Sequence, residues 1–219
     1  MTDNRMSGAA LITGVIGSII TMAFHPTAHN LMPPDQFAHG ARISIATHAL
    51  ALLVMPVFFL GALGLSRRLM SPNRLALAAL VFYGFGVTAV LSAAVFGGIV
   101  SPDLIHQMIT APASMRDIWN AAIHFDGALN QAFAMMFVVA TSIAILLWST
   151  AILRSNSFAR ALGIYGCIFA PLTILAVLSG HIRLNVHGFG AIILGQAIWF
   201  FSAGVQLWRD KNITLPIAA

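Results

Sequence analysis

The chain is predicted to be an all-α integral membrane protein, a six-transmembrane-helix bundle with both termini in the cytoplasm. Three observations carry that expectation. Of 219 residues, 59% are hydrophobic and only 8% are charged, whereas an ordinary soluble domain carries about 25% charged residues. The apolar residues gather into six runs, each long enough to cross a hydrocarbon core about 30 Å thick. The basic residues are distributed unequally about those runs, which sets an orientation. Six spans with short connections occupy nearly the whole length, so residues 1–219 are expected to form one domain.

The first span reads as Gly8 to Phe24. Its apolar stretch is too long for a signal peptide, and His25-Pro26-Thr27 is a poor cleavage context, so a retained helix is expected. The second and third spans read as Ala41 to Leu65 and Leu75 to Val100. The fourth, Asp117 to Leu153, exceeds what a membrane requires, so it is expected to tilt or to carry its first turns outside the core. The fifth and sixth read as Phe158 to Leu178 and Asn185 to Trp208. Continuous helices are expected because an unpaired amide in lipid costs several kcal/mol. Between the spans, 25–39 and 101–115 read as long loops on one side, with tight turns on the other. Trp148 and Trp208 at one end and Trp119 at the other fit interfacial belts.

Eight basic residues share one side: Arg5, Arg67, Arg68, Arg74, Arg154, Arg160, Arg209 and Lys211. Three, Arg42, Arg116 and Arg183, share the other. The positive-inside rule assigns the larger group to the cytoplasm. A bacterial inner membrane is the default setting for so compact a chain, with the lipid bilayer as its partner. No basic run has the length or interleaved aromatics of a nucleic-acid site, so no nucleic-acid partner is expected. The odd spans carry glycine pairs (Gly14 and Gly17, Gly84 and Gly86, Gly163 and Gly166), hinting at three related hairpins or simply at close helix contact.

Several chemistries lack their residues. HExxH, GxSxG and phosphate-binding glycine loops are absent. The lone Cys167 forms no disulfide or CxxC pair and reads as a small packing residue. All six acids are Asp, and Asp126 alone stands inside a predicted span rather than at its edge.

The eight histidines all fall on the predicted outer side. His48 and His124 each stand seven residues past a predicted helix start, Ala41 and Asp117, or about 10 Å below it. His187 begins the sixth span and His25 closes the first. Imidazole ligates zinc, copper and iron, and two imidazoles can hold a haem iron axially. The candidate cofactor ligands are therefore His48 and His124, then His187, with His25 and His181 in reserve. The cofactor would be a transition metal (zinc, copper or iron) or haem b, the latter in a slot walled by Phe125, Phe133 or Phe189. Asp126 would orient a ligand or carry a proton, and Asn120, Asn130 and Gln131 would hydrogen-bond the ligands. On the fourth span, Asn120, His124, Gly127 and Gln131 share one face and Asp126 and Asn130 a second, so that helix is expected to be central. Met22, Met32, Met108 and Met115 lie on the same side, where thioether with imidazole suits copper. His29, His39 and His106 read as solvated.

The functional expectation is a histidine-lined metal or haem site in the extracytoplasmic half, serving a redox, sensor or oxidoreductase role with a redox or signalling partner. The alternative is a small-solute or proton-coupled transporter or channel using His124 and Asp126, with Pro56 and Pro171 as helix breaks. A scaffold without chemistry is the third reading.

The orientation is testable by single cysteines in a Cys167→Ala background. Residues 71 and 155 should be shielded from an impermeant thiol reagent added outside intact cells, while residue 114 should label. Labelling at 71 or 155 would reverse the topology.

Overall fold

The computed structural model describes residues 3–25, 34–70, 74–155 and 158–209, with only the backbone of 34–36. His29, Met32, Ser71 and Lys211 lie outside the described residues. The described chain is helical: α1 (Asp3–Ala23), α2 (Pro34–Leu69), α3 (Leu75–Val95), a π-helical turn (Phe96–Val100), α4 (Ser101–Thr110), a 3-10 turn (Ala113–Met115), α5 (Arg116–Arg154), α6 (Arg160–Leu178) and α7 (Val186–Arg209). Six of these rods are long and apolar enough to cross a membrane, with α3, the π turn and α4 forming one of them. Leu53, Leu172 and Leu175 are largely exposed. Such apolar surface is stable against lipid, not water.

Two expectations about segments 101–115 and 25–39 change. Residues 101–110 continue the third rod as helix instead of looping. Pro102 reads as a breaker but stands in the first turn of α4, directly after the π turn, where the rod runs on and its missing N–H leaves a carbonyl of that turn to find another donor. The second rod likewise begins at Pro34, seven residues before the expected Ala41.

The rods form a ring in chain order, α1 against α2, α2 against α3, α3 against α5, α5 against α6, and α7 back against α1. The α6–α7 seam is the thinnest. The most extensive contact joins α3 to α5, as expected for a central fourth span. Glycines make these contacts close. Side chains at Gly14 and Gly17 would collide with Phe58 and Val54 of α2, and one at Gly86 with Thr141 of α5. A side chain at Gly166 would collide with Ser149 of α5. All of the paired glycines but Gly84, where a Cβ would meet Phe59 at an ordinary 3.6 Å, thus serve close helix packing. Gly180, with φ of 76°, supplies the left-handed residue that ends α6.

The arginine-bearing half holds an aromatic core of Phe58, Tyr83, Trp148, Trp199 and Phe200. Trp148 is fully buried rather than interfacial: its Nε1 donates to Ser66 Oγ at 2.9 Å. Trp199, stacked on it at 5.9 Å, donates to Ser149 Oγ at 3.0 Å. An indole N–H must find an acceptor when buried, and these two serines tie α2 to α5 and α5 to α7. Trp208 stays 44% exposed, as a belt residue would.

Ser149→Ala should cost about 1–3 kcal/mol of unfolding free energy, because it strands the Trp199 N–H. In a Trp199→Phe background the same change should cost almost nothing. Reversible unfolding of the four proteins of this cycle in detergent micelles measures the coupling; equal costs in both backgrounds would deny the bond its role.

Candidate functional site

The histidine-bearing end holds a cavity of about 250 Å³ whose lining includes His25, His48, Asn130, Gln131 and Asn185. It shares Thr21, Met22, Ala51, Val90 and Phe189 with a narrower apolar pocket of about 70 Å³ that reaches inward to Tyr83, Gln196 and Phe200. Five rods, those of α1, α2, α3, α5 and α7, wall this continuous space, and α6 contributes none of the lining.

His48 is buried on α2. Its Nδ1 lies 2.7 Å from the Ser44 carbonyl oxygen. A carbonyl only accepts, so Nδ1 carries the proton and the neutral ring's lone pair belongs to Nε2. The ring rests on bare backbone: a Cβ on Gly98 would overlap His48 Cβ and Cγ. A Cβ on Gly97 would lie 3.3 Å from both His48 Nε2 and Asn130 Nδ2. The two glycines therefore admit the imidazole to the wall of the third rod and set it beside the amide of α5. His25, just past α1, meets His48 edge to face, with centroids 5.1 Å apart and planes at 65°. Thr47 Oγ1 donates to the Phe24 carbonyl at 3.4 Å and holds the end of α1 against α2.

The structure brings two of the five candidate ligands together, His25 and His48. His124, His181 and His187 are exposed and absent from the cavity lining. His181 Nδ1 is 2.7 Å from Ser179 Oγ. Among the described residues no three His, Cys, Asp or Glu side chains gather as a metal site, so the expected His48–His124–His187 set is not assembled. The reason is level along the helix, not its phase. His124 falls on nearly the same face of α5 as Gln131, which lines the cavity, but stands seven residues, about 10 Å, nearer the start of the helix. The start of α5, Arg116, lies one residue from the expected Asp117, and the helix runs 39 residues, well over what a span needs, whereas α2 starts at Pro34 and not at the expected Ala41.

Asn130 and Gln131 line the cavity, whereas Asn120 is exposed near the start of α5. Asp126 is buried and accepts a hydrogen bond from Ser101 Oγ. It and His124 lie two residues apart and face different directions, so the His124–Asp126 pair does not form. Gln196, the other deep amide, donates to Ser142 Oγ at 3.4 Å. His106 stacks on Phe37 with centroids 6.4 Å apart. Cys167 packs 4.0 Å from Thr150 Oγ1. Sequence reading missed Ser44, Gly97, Gly98 and Asn185. Gly97-Gly98 four residues before a proline was the available signal.

No protein-family model matches the chain, and no curated protein or solved structure matches it. The chemistry therefore rests on the site's own geometry.

Gly98→Ala should destabilise the bundle by about 1–3 kcal/mol, as overpacking does. Gly127→Ala, whose Cβ would meet nothing within 4 Å, should be neutral or gain up to about 1 kcal/mol from helix propensity. Thermal unfolding in micelles separates the two, and equal melting temperatures would contradict the His48–Gly98 contact.

Proposed function

We propose that the protein is a membrane metal-binding protein whose ion sits between His25 and His48 at the mouth of the central cavity. The observation carrying this reading is the pair of rings, 5.1 Å apart and edge to face, with His48 Nδ1 committed to a backbone carbonyl. Ligating histidines are held in this way: one ring nitrogen donates to a fixed acceptor, and the other keeps its lone pair for the metal. Metal–nitrogen bonds of about 2 Å require nitrogens only a few ångströms apart, which touching rings satisfy after small rotations.

Met22 lines the same cavity, with Asn130, Gln131 and Asn185 around it. Thioether with imidazole favours copper, and zinc or iron would use the imidazoles with amide oxygen or water. Haem b suits the pair less well. Axial imidazoles on one iron have centroids more than about 6 Å apart, given bonds of about 2 Å, with the macrocycle between them. Rings in edge contact leave no such slot. The positive-inside rule turns this end outward, so the ion would be taken from the extracytoplasmic side, for electron transfer or sensing.

After loading with copper(I), zinc or iron(II), elemental analysis of purified protein should find one ion per chain. His25→Ala and His48→Ala should weaken binding by at least about 100-fold, the upper range for losing a mere supporting group. His124→Ala and His187→Ala should bind as wild type. Full metal content in both His25→Ala and His48→Ala would sink the proposal.

A further inference from the structure

Asp126 is 3% exposed, and its two oxygens are treated differently. Oδ2 accepts from Ser101 Oγ. Oδ1 is buried with no hydrogen-bond partner among the described residues. A buried carboxylate oxygen left without a donor costs several kcal/mol as an anion, and an ionisable residue within a span signals function unless a partner neutralises it. The charged and titratable groups around it do not. Asp103 and His106 of α4, Arg116, Asp117 and His124 of α5, His39 and Arg42 of α2, and His181, Arg183 and His187 near the start of α7 are all exposed. His48 is buried, but its Nδ1 is turned to Ser44. From α4, the buried side chains of Pro102 and Ile105 offer no donor.

The location is specific. Ser101 is the first residue after the π turn, and π turns recur at functional sites. Asp126 stands four residues before Asn130, on nearly the same face of α5. Asn130 Nδ2 in turn shares the flank of Gly97 with His48 Nε2. A file of polar groups, Asp126, Asn130 and His48, thus follows the π turn from the buried acid toward the cavity.

We infer that Asp126 and Ser101 form a second site, which holds one positive charge, a proton or a sodium ion, on the buried carboxylate. A proton turns the carboxylate into a neutral acid with one O–H donor, and the Ser101 hydroxyl serves either oxygen. Sodium, a hard cation, is held by the carboxylate and hydroxyl oxygens. Either removes the uncompensated charge. This site does not rest on the His25–His48 reading, because its signal comes from one carboxyl group and metal content is measured separately.

Infrared difference spectroscopy on the full chain in lipid nanodiscs, wild type against Asp126→Asn, reads the carboxyl group directly. Spectra are taken near neutral pH, in choline chloride and then in sodium chloride. In the proton arm, a carboxylic-acid C=O band is present in wild type, missing from Asp126→Asn and moved in Ser101→Ala. In the sodium arm, a carboxylate band pair assigned the same way shifts when sodium replaces choline, and Ser101→Ala reduces that shift. A carboxylate signal for Asp126 that ignores sodium would overturn the proposal. Should Asp126→Asn fail to fold, Ser101→Ala keeps the acid, and an unmoved carboxyl spectrum in that variant overturns it equally. Metal bound at the histidines should be unchanged in Ser101→Ala.

Discussion

The carbonyl of Gly97 cannot be satisfied by its own rod. In α geometry its donor would be the N–H of Ser101, but that group reaches back to the Phe96 carbonyl in the π turn. In π geometry the donor would be residue 102, which is proline and has no N–H. Within a membrane no water replaces it, and the cost of an orphan carbonyl is several kcal/mol. The hydroxyl of Ser44 on α2 supplies the bond, at 3.4 Å. That requirement draws α2 against the bare Gly97–Gly98 backbone. The next turn of α2 then lays His48 on Gly98, with its Nδ1 on the Ser44 carbonyl. One proline therefore accounts for the wide turn, for the glycines beneath the imidazole and for the ring's tautomer.

The two halves of the bundle solve the burial of polar groups in opposite ways. In the arginine-bearing half the two buried indoles are paired: Trp148 with Ser66, and Trp199 with Ser149. The surrounding aromatic rings then pack without a large void. In the histidine-bearing half, imidazole and amide side chains line open space, and a carboxylate oxygen remains without a partner among the described residues. Structures carry such uncompensated groups where a ligand or ion completes them.

Composition and apolar runs made the six-helix architecture legible, because nothing but helices satisfies the backbone in lipid. Most helix ends were placed well: Asp117 falls one residue after the start of α5, Leu178 ends α6 as expected, and Trp208 falls one residue short of the end of α7. The start of α2 and the end of the third rod were not. Polar residues there read as loop, while Asp, His and Asn sit comfortably on helix that continues beyond the hydrocarbon. The site was half legible. His48, Asn130 and Gln131 were found because polar residues inside spans seek the interior. His124 was expected beside His48 because each stands seven residues past an expected helix start, but α2 begins at Pro34 instead of Ala41, so equal offsets do not mark equal depths. Trp148 was misread as interfacial because distance from Arg154 shows level, while its partner Ser66 lies 82 residues away in the chain. Such pairs follow from the ring order of the helices, which no local pattern encodes.

That ring order also decides how the cavity is reached. Its walls come from five rods, and α6 lies outside them, against α5. The thin α6–α7 seam therefore opens toward lipid without leading to the histidines. The mouth lies instead where His25, just past α1, meets Leu184, Asn185 and Val186 at the head of α7. These groups surround the axis of the bundle at its histidine end. A hydrated ion sheds water stepwise, and a file of amides and imidazoles replaces that water, whereas an approach from lipid would strip it at once. Access along the axis thus suits a small polar species. The narrow pocket beyond, about 70 Å³ and floored by Tyr83 and Phe200, is lined mainly by apolar side chains, with Ser18, Thr141 and Gln196 among them. On the proposed reading, an ion entering at the mouth would be held there by the imidazoles, with the aromatic core behind it.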